Sequence, residues 1–200
     1  MVEKKISDVL FSPAVKNWQE EKGSRAAYAR MEKKGGFRDT VDDYLAGFIA
    51  MRNSFYLGTA SADGQPYIQH RGGKKGFLKV LDDKTLAFAD FKGNRQYISA
   101  GNLSDNPKAY IFLMDYVDRR RIKIWGEAKV VENDPALLKR LVDQDYPGIP
   151  ERAIVFTISA WDINCPQHIP VKFDEAEIED ILKPLQDRIA ELEAELSGKT

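Results

Sequence analysis

The chain has 200 residues, 43% hydrophobic, 30% charged and 10% aromatic, with a formal net charge of −1. That suits one globular domain, or one domain with a helical appendage, and leaves no global field to recruit nucleic acid or an acidic membrane. A single cysteine, Cys165, excludes an intrachain disulfide framework. No run approaches a membrane span of about 18 apolar residues and the N-terminus has no signal-peptide core, so a soluble cytoplasmic protein is expected.

Residues 1–37 read as helical and polar. Ser12-Pro13 supplies a capping hydroxyl and a first-turn proline, Gly23 breaks the run, and a second piece continues through Met31 to Gly35-Gly36. Thr40, with Asp43 three residues on, is expected to cap a helix whose apolar face carries Tyr44, Leu45, Phe48, Ile49 and Met51. From Asn53 the period drops to two. Phe55–Ala60 and Tyr67–Arg71 form a hairpin around Asp63-Gly64, with Tyr67, Gln69 and Arg71 sharing one face. Gly72-Gly73-Lys74-Lys75-Gly76 is a basic link to a strand Phe77–Leu81, and Asp82-Asp83-Lys84 turns the chain into the strand Thr85–Phe91.

After that strand comes Gly93-Asn94-Arg95-Gln96, read as a turn with a helix opening at Asn94 and Arg95 and ending near Asn106-Pro107. A helix start leaves backbone N–H groups without partners, and the helix dipole favours an anion there. Arg95 offers a planar fork for phosphate oxygens, Asn94 a cap, and Gly93 angles that other residues avoid. The stretch is a candidate phosphate cradle. The competing reading is a turn whose basic residue only keeps the surface soluble.

Lys108–Tyr116 is apolar on both faces and therefore calls for two coverings, a second layer or another subunit. Arg120–Val131 alternates, with Ile122, Ile124, Gly126, Ala128 and Val130 inward and Arg121, Lys123, Trp125, Glu127 and Lys129 outward. Asn133-Asp134-Pro135 starts a helix through Val142, and Ala153–Trp161 is a last strand. Six or so strands joined mainly by hairpins predict a mainly β protein: an antiparallel split β-barrel flanked by N-terminal helices and a C-terminal helix. In the tail, Ile178, Leu182, Leu185, Ile189, Leu192 and Leu196 recur at spacings of four and three, a coiled-coil seam interrupted by Pro184. That seam either docks on the barrel or pairs with a second copy. The boundaries expected are an extension over 1–40, the barrel over 41–173 and the amphipathic helix over 174–200.

The order hairpin, basic strand, F-A-D-F-K-G-N-R-Q, helix, N-P, long strand pair, then A-W-D-I-N-C-P-Q-H-I-P resembles the pyridoxamine 5′-phosphate oxidase-like family of FMN-binding split barrels, over roughly residues 41–173. The closing W…C-P-Q-H segment is similar to a subgroup described as flavin-nucleotide-binding. The resemblance implies FMN as cofactor, held at a homodimer interface. It puts Asn94, Arg95 and Gln96 on the phosphate, with glutamine where the oxidases proper carry lysine. It puts a basic segment including Arg71, Lys74 and Lys79 near flavin and substrate, Ala89 and Asp90 beside the ribityl chain and ring, and Arg121 on the long strand toward the flavin. Trp161 and Lys172 stand where the oxidases place a tryptophan and an arginine, and lysine there loses the bidentate fork. The oxidases also hold substrate phosphate with a tyrosine, arginine and serine spaced four apart; Leu137–Val142 contains no such triplet, so pyridoxamine phosphate is not the expected substrate.

The expected function is an FMN-dependent oxidoreductase of unidentified small-molecule substrate and electron donor, with no nucleic-acid or membrane partner. The alternatives are a flavin-binding protein that stores or senses the cofactor without turnover, or a split barrel that binds haem or a deazaflavin. His70 and His168 have no metal-ligand spacing, although His168 is the residue a haem reading would use. Cys165 has no Cys-x-x-Cys partner and reads as an inert thiol. Arg119-Arg120-Arg121 lies beside Asp115 and Asp118, which reads as a solvated hairpin end rather than a nucleic-acid patch.

Overall fold

A computed structural model of the chain describes residues 6–143, 145–164 and 166–197; Cys165 lies outside them. Contacts divide the chain into two units, Met1–Met114 with Arg121–Cys165, and Asp115–Arg120 with Pro166–Thr200.

The first unit carries a seven-stranded antiparallel sheet in the order β2-β1-β5-β6-β7-β4-β3. The strands are β1 (Ser54–Ala60), β2 (Pro66–Gly72), β3 (Lys79–Val80), β4 (Thr85–Phe91), β5 (Lys108–Asp115), β6 (Arg120–Val131) and β7 (Pro150–Ile163). With flanking helices this is the expected mainly β split barrel. The expected strand at Phe77–Leu81 shrinks to two residues, because Phe77 and Leu78 are buried in the core, where Phe77 stacks on Phe55 at 5.4 Å. One face of the sheet closes around Phe55, Leu57, Leu86, Phe88, Ile111, Leu113, Ile122, Ile124, Phe156 and Ile158. Side chains of this size, fully buried, each contribute about 1.5–3 kcal/mol.

Two helices cover this core and a third covers the opposite face of β4 and β7. Before them, α1 (Pro13–Glu21) begins as its sequence requires, with the Ser12 hydroxyl accepting from the Val15 N–H, and α2 (Arg25–Lys33) follows Gly23. The first covering helix, α3 (Asp43–Ala50), buries Leu45, Phe48 and Ile49. Its cap is Asp42, whose carboxylate accepts from the Leu45 N–H, and not Thr40. The Thr40 carbonyl is engaged elsewhere, accepting the Trp161 indole N–H at 2.8 Å. The second is α4 (Ile98–Asp105), packed beside β1 and β2 and ended by Asn106-Pro107. The third, α5 (Pro135–Leu141), is capped by Asp134 and presses Leu141 onto Ala87, Ala89 and Ala153 on the other side of β4 and β7.

One backbone feature depends on glycine. Gly126 sits at a register shift between β6 and β7, and a Cβ there would lie 2.0 Å from the Thr157 carbonyl and 2.5 Å from the Phe156 ring. No residue with a side chain fits that approach.

In the second unit, α6 (Glu175–Ser197) opens with a reciprocal capping box: the Asp174 carboxylate accepts from the Glu177 N–H and the Glu177 carboxylate from the Asp174 N–H. It continues through Pro184 as one helix rather than restarting. Proline there removes one backbone donor, which leaves the Asp180 carbonyl without its partner one turn on, on a helix exposed to solvent.

Candidate functional site

β2 and β4 are not neighbours in the sheet, yet Arg71 Nη1 donates to Asp90 Oδ1 at 2.5 Å, with each side chain 15% exposed. The barrel is therefore closed on this side by a charged pair instead of a backbone ladder. Arg71 also lies over the Phe88 ring at 5.6 Å, and its Nε is buried with no hydrogen-bond partner. A cavity of about 260 Å³ opens at this split.

The cavity is built from four pieces of chain. β2 presents Tyr67, Gln69 and Arg71 from one face of its pleat. β4 ends there with Asp90 and Phe91, the loop Gly93–Tyr97 forms the rim, and Ile98, Ser99 and Ala100 bring the first turn of α4 to it, with Glu151 of β7 beside them. The helix starts at Ile98, three to four residues later than the sequence suggested. Asn94 is not its cap; its side chain accepts from the Gln96 N–H and ties the loop locally. Nor does Gly93 carry the unusual backbone: the left-handed residues are Arg95 (φ 61°) and Tyr97 (φ 54°). Tyr97 stands at the N-cap without a side-chain cap bond, so the first N–H groups of α4 face the cavity uncapped. Consecutive turns of this kind orient N–H groups toward an anion.

The charges sort themselves by what they already hold. Asp90 is shared by Arg71 and Arg152 Nε at 3.6 Å, and Glu151 accepts from Arg152 Nη2 at 2.8 Å. Burial works against the Arg152 charge, but Glu151, Tyr97 and Asp90 outweigh it and hold the guanidinium above its ordinary pKa. Arg152 also stacks on the Tyr97 ring at 5.0 Å, which fixes the rim. Arg95, by contrast, is exposed and donates to the Tyr97 hydroxyl at 3.2 Å rather than to a carboxylate. Its guanidinium therefore keeps donor capacity for an incoming anion. Ser99 is buried and donates to Gln69 Oε1 at 2.7 Å, orienting that amide into the cavity wall.

Of the residues singled out in the sequence, Arg71, Asp90, Asn94, Arg95 and Gln96 come together here. Lys74 and Ala89 line a separate water-sized crevice with Asp143 and Tyr146. Lys74 is 3.4 Å from Asp145 and Lys79 is 3.1 Å from Asp143, so both lysines already have carboxylate partners. Ala89, one residue from Asp90, points to the opposite face and is buried under α5. Arg121 stands on the outer face of β6 near Tyr110. Trp161 is buried in the core at 1% exposure, with Arg38 over its ring at 4.7 Å. Lys172 belongs to the second unit and lies over the Tyr116 ring at 4.7 Å. Among the described residues no cluster of His, Cys, Asp and Glu could hold a metal ion, and no helix is long and apolar enough to cross a membrane.

Sequence reasoning did not single out Tyr97, Ser99, Glu151 or Arg152 for the site. The last two reach it only through the β4–β7 register, which sets Asp90 opposite Arg152. Gln69 and Tyr67 were signalled by their shared face with Arg71.

The fold has solved relatives. The HupZ protein of Group A Streptococcus is 17% identical with a TM-score of 0.52, over 66% of this chain and 99% of that one. A histidine-to-alanine variant of HupZ is 18% identical with a TM-score of 0.51, over 62% and 99%. An FMN-binding protein from Syntrophomonas wolfei subsp. wolfei is 16% identical, over 74% and 96%, with a TM-score of 0.46. No curated protein matches the chain. The sequence itself matches the family defined as pyridoxamine 5′-phosphate oxidase over residues 41–165, well over half its length. The chain therefore belongs to the pyridoxamine 5′-phosphate oxidase family.

Proposed function

We propose that the chain is an FMN-dependent oxidoreductase whose cofactor phosphate sits in the split between β2 and α4. The observation that carries this reading is the convergence, on one cavity, of Arg71 with a buried unpartnered Nε, the anion-ready Arg95, Asn94, Gln96 and the uncapped start of α4. These donors fit a phosphate dianion: two guanidinium groups oppose it, and backbone N–H groups complete its oxygens. Arg71, braced by Asp90, positions the anion, while Arg152 and Glu151 hold Tyr97 and hence the rim.

At about 260 Å³ the cavity falls below the roughly 300–1,000 Å³ of small-molecule pockets, so it suits the phosphate and ribityl chain and leaves the ring to be covered by another surface. A second copy supplies that surface in this reading. The outer sheet face offers it: Tyr56, 38% exposed, is in register with Phe112, Tyr110 stacks on Phe112 at 6.2 Å, and Trp125 meets Tyr110 edge-on at 5.1 Å. Large flat aromatic faces of this kind favour burial against another protomer.

When bound, FMN supplies hydride or electron transfer at its ring. Pyridoxamine phosphate is not the proposed substrate, because Leu137, Leu138, Leu141 and Val142 pack into the hydrophobic layer around Ala87 and Ala153 and present no phosphate-binding triplet. The test is the visible spectrum of the purified chain, chromatography of what heat releases, and turnover with NADH or NADPH against a panel of acceptors. Released FMN with turnover supports the reading. Released FMN with no turnover on any acceptor would make the protein a flavin carrier, and a Soret band would make it a haem protein.

A further inference from the structure

We infer that α6 pairs with α6 of a second copy as a parallel two-stranded coiled coil. This is independent of the flavin reading. The helix is 23 residues, about 34 Å, and contains Pro184. A helix of that length with an internal proline is marginal in water unless one face is packed. Its apolar seam is nevertheless open: Ile178, Leu182, Leu185, Ile189, Leu192 and Leu196 are 42–70% exposed.

The seam defines its own partner. Leu182, Ile189 and Leu196 occupy heptad position a, and Ile178, Leu185 and Leu192 position d. At its centre a β-branched residue at a lies between leucines at d, the arrangement that favours two parallel strands. Pro184 falls at c, away from the seam, as do Asp180 and Asp187 at f.

The flanking charges choose the direction. In the parallel arrangement Arg188 at g meets Glu193 at e of the other copy, twice by symmetry. In the antiparallel arrangement that matches all six seam positions, Arg188 faces a second Arg188 and Glu179 faces Glu193. At Arg188, which also holds Glu191 of its own helix at 2.8 Å, the parallel pairing is complementary and the antiparallel one is not; the like-charged pair of the parallel register, Asp174 at g against Glu179 at e, falls at the helix cap.

The test uses the full chain with Cys165→Ser throughout. Leu192→Cys at d is compared with Asp187→Cys at f under mild oxidation, read as covalent dimer on a non-reducing gel. Paired d positions bring Cα atoms near the about 4.4–6.8 Å that a disulfide spans, whereas f positions face outward, so Leu192→Cys should link roughly tenfold faster. Arg188→Glu added to Leu192→Cys should slow linking about threefold, and Arg188→Glu with Glu193→Arg should restore it. Equal slow linking of the two cysteines would overturn the pairing, whether the seam docks on its own barrel or on nothing. Linking of Leu192→Cys only to a Leu182→Cys chain would overturn the parallel direction. Failure of the charge reversal to restore the rate would overturn the register.

Discussion

The Arg71–Asp90 pair closes the barrel at its split, and Arg71→Met measures what it is worth. Methionine keeps an unbranched apolar stem over Phe88 while deleting the charge and the 2.5 Å bond. A hydrogen bond to a charged group is worth about 1.5–3 kcal/mol. Removing one partner of a fully buried pair costs about 3–5 kcal/mol, because the survivor is left uncompensated. Here Asp90 is 15% exposed and keeps Arg152 at 3.6 Å, so the loss falls short of that upper range. The expected destabilisation is about 2–3 kcal/mol by urea unfolding monitored by tryptophan fluorescence and circular dichroism. Adding Asp90→Asn should recover about half of it, since the stranded carboxylate is then gone. A loss under about 0.5 kcal/mol would class the pair with ordinary solvated surface bridges and refute the closure argument.

Two further perturbations probe the frame. Gly126→Ala forces a Cβ into the Thr157 carbonyl and should cost about 3 kcal/mol or prevent folding, whereas Gly47→Ala in α3, with nothing within 4 Å of the new atom, should stabilise by about 0.5–1 kcal/mol. Comparable effects at the two glycines, by the same urea assay, would contradict the packing described. Burial pushes the Tyr110 phenol above its ordinary pKa; Arg121 opposes this and Asp162 adds to it. The folded chain thus holds that proton more tightly than the unfolded one. Its stabilising effect is complete below the ordinary phenol value near 10 and is lost as pH rises beyond it. Tyr110→Phe should therefore lose less stability than the parent between about pH 10 and 11, and identical slopes would refute the burial of that hydroxyl.

Much of this was legible where the chemistry is local. Twofold alternation located β6 residue for residue, Asp63-Gly64 located the hairpin, and Ser12-Pro13 and Asp134-Pro135 located two helix starts. What escaped was decided at long range. Phe77 and Leu78 leave the strand pattern because the core takes them. Asp42 rather than Thr40 caps α3, and the Thr40 carbonyl instead accepts the indole N–H of Trp161, 121 residues away. The cavity's rim depends on left-handed turns at Arg95 and Tyr97, residues whose types give no hint of that conformation, while neighbouring Gly93 looked the obvious carrier. Arg71, Asn94 and Arg95 could be read from sequence, but Glu151 and Arg152 join them only through strand register.

The phosphate site is tested most directly by titrating flavin-stripped protein with FMN and with riboflavin, which lacks the phosphate, for the parent and for Arg95→Ala. Alanine meets the same positive-φ demand as arginine at this position, so the comparison isolates the guanidinium. The account predicts that the parent prefers FMN, and that Arg95→Ala weakens FMN about tenfold to a hundredfold while leaving riboflavin unchanged. Equal affinity for the two flavins, or an Arg95→Ala variant that binds FMN as the parent does, would contradict it.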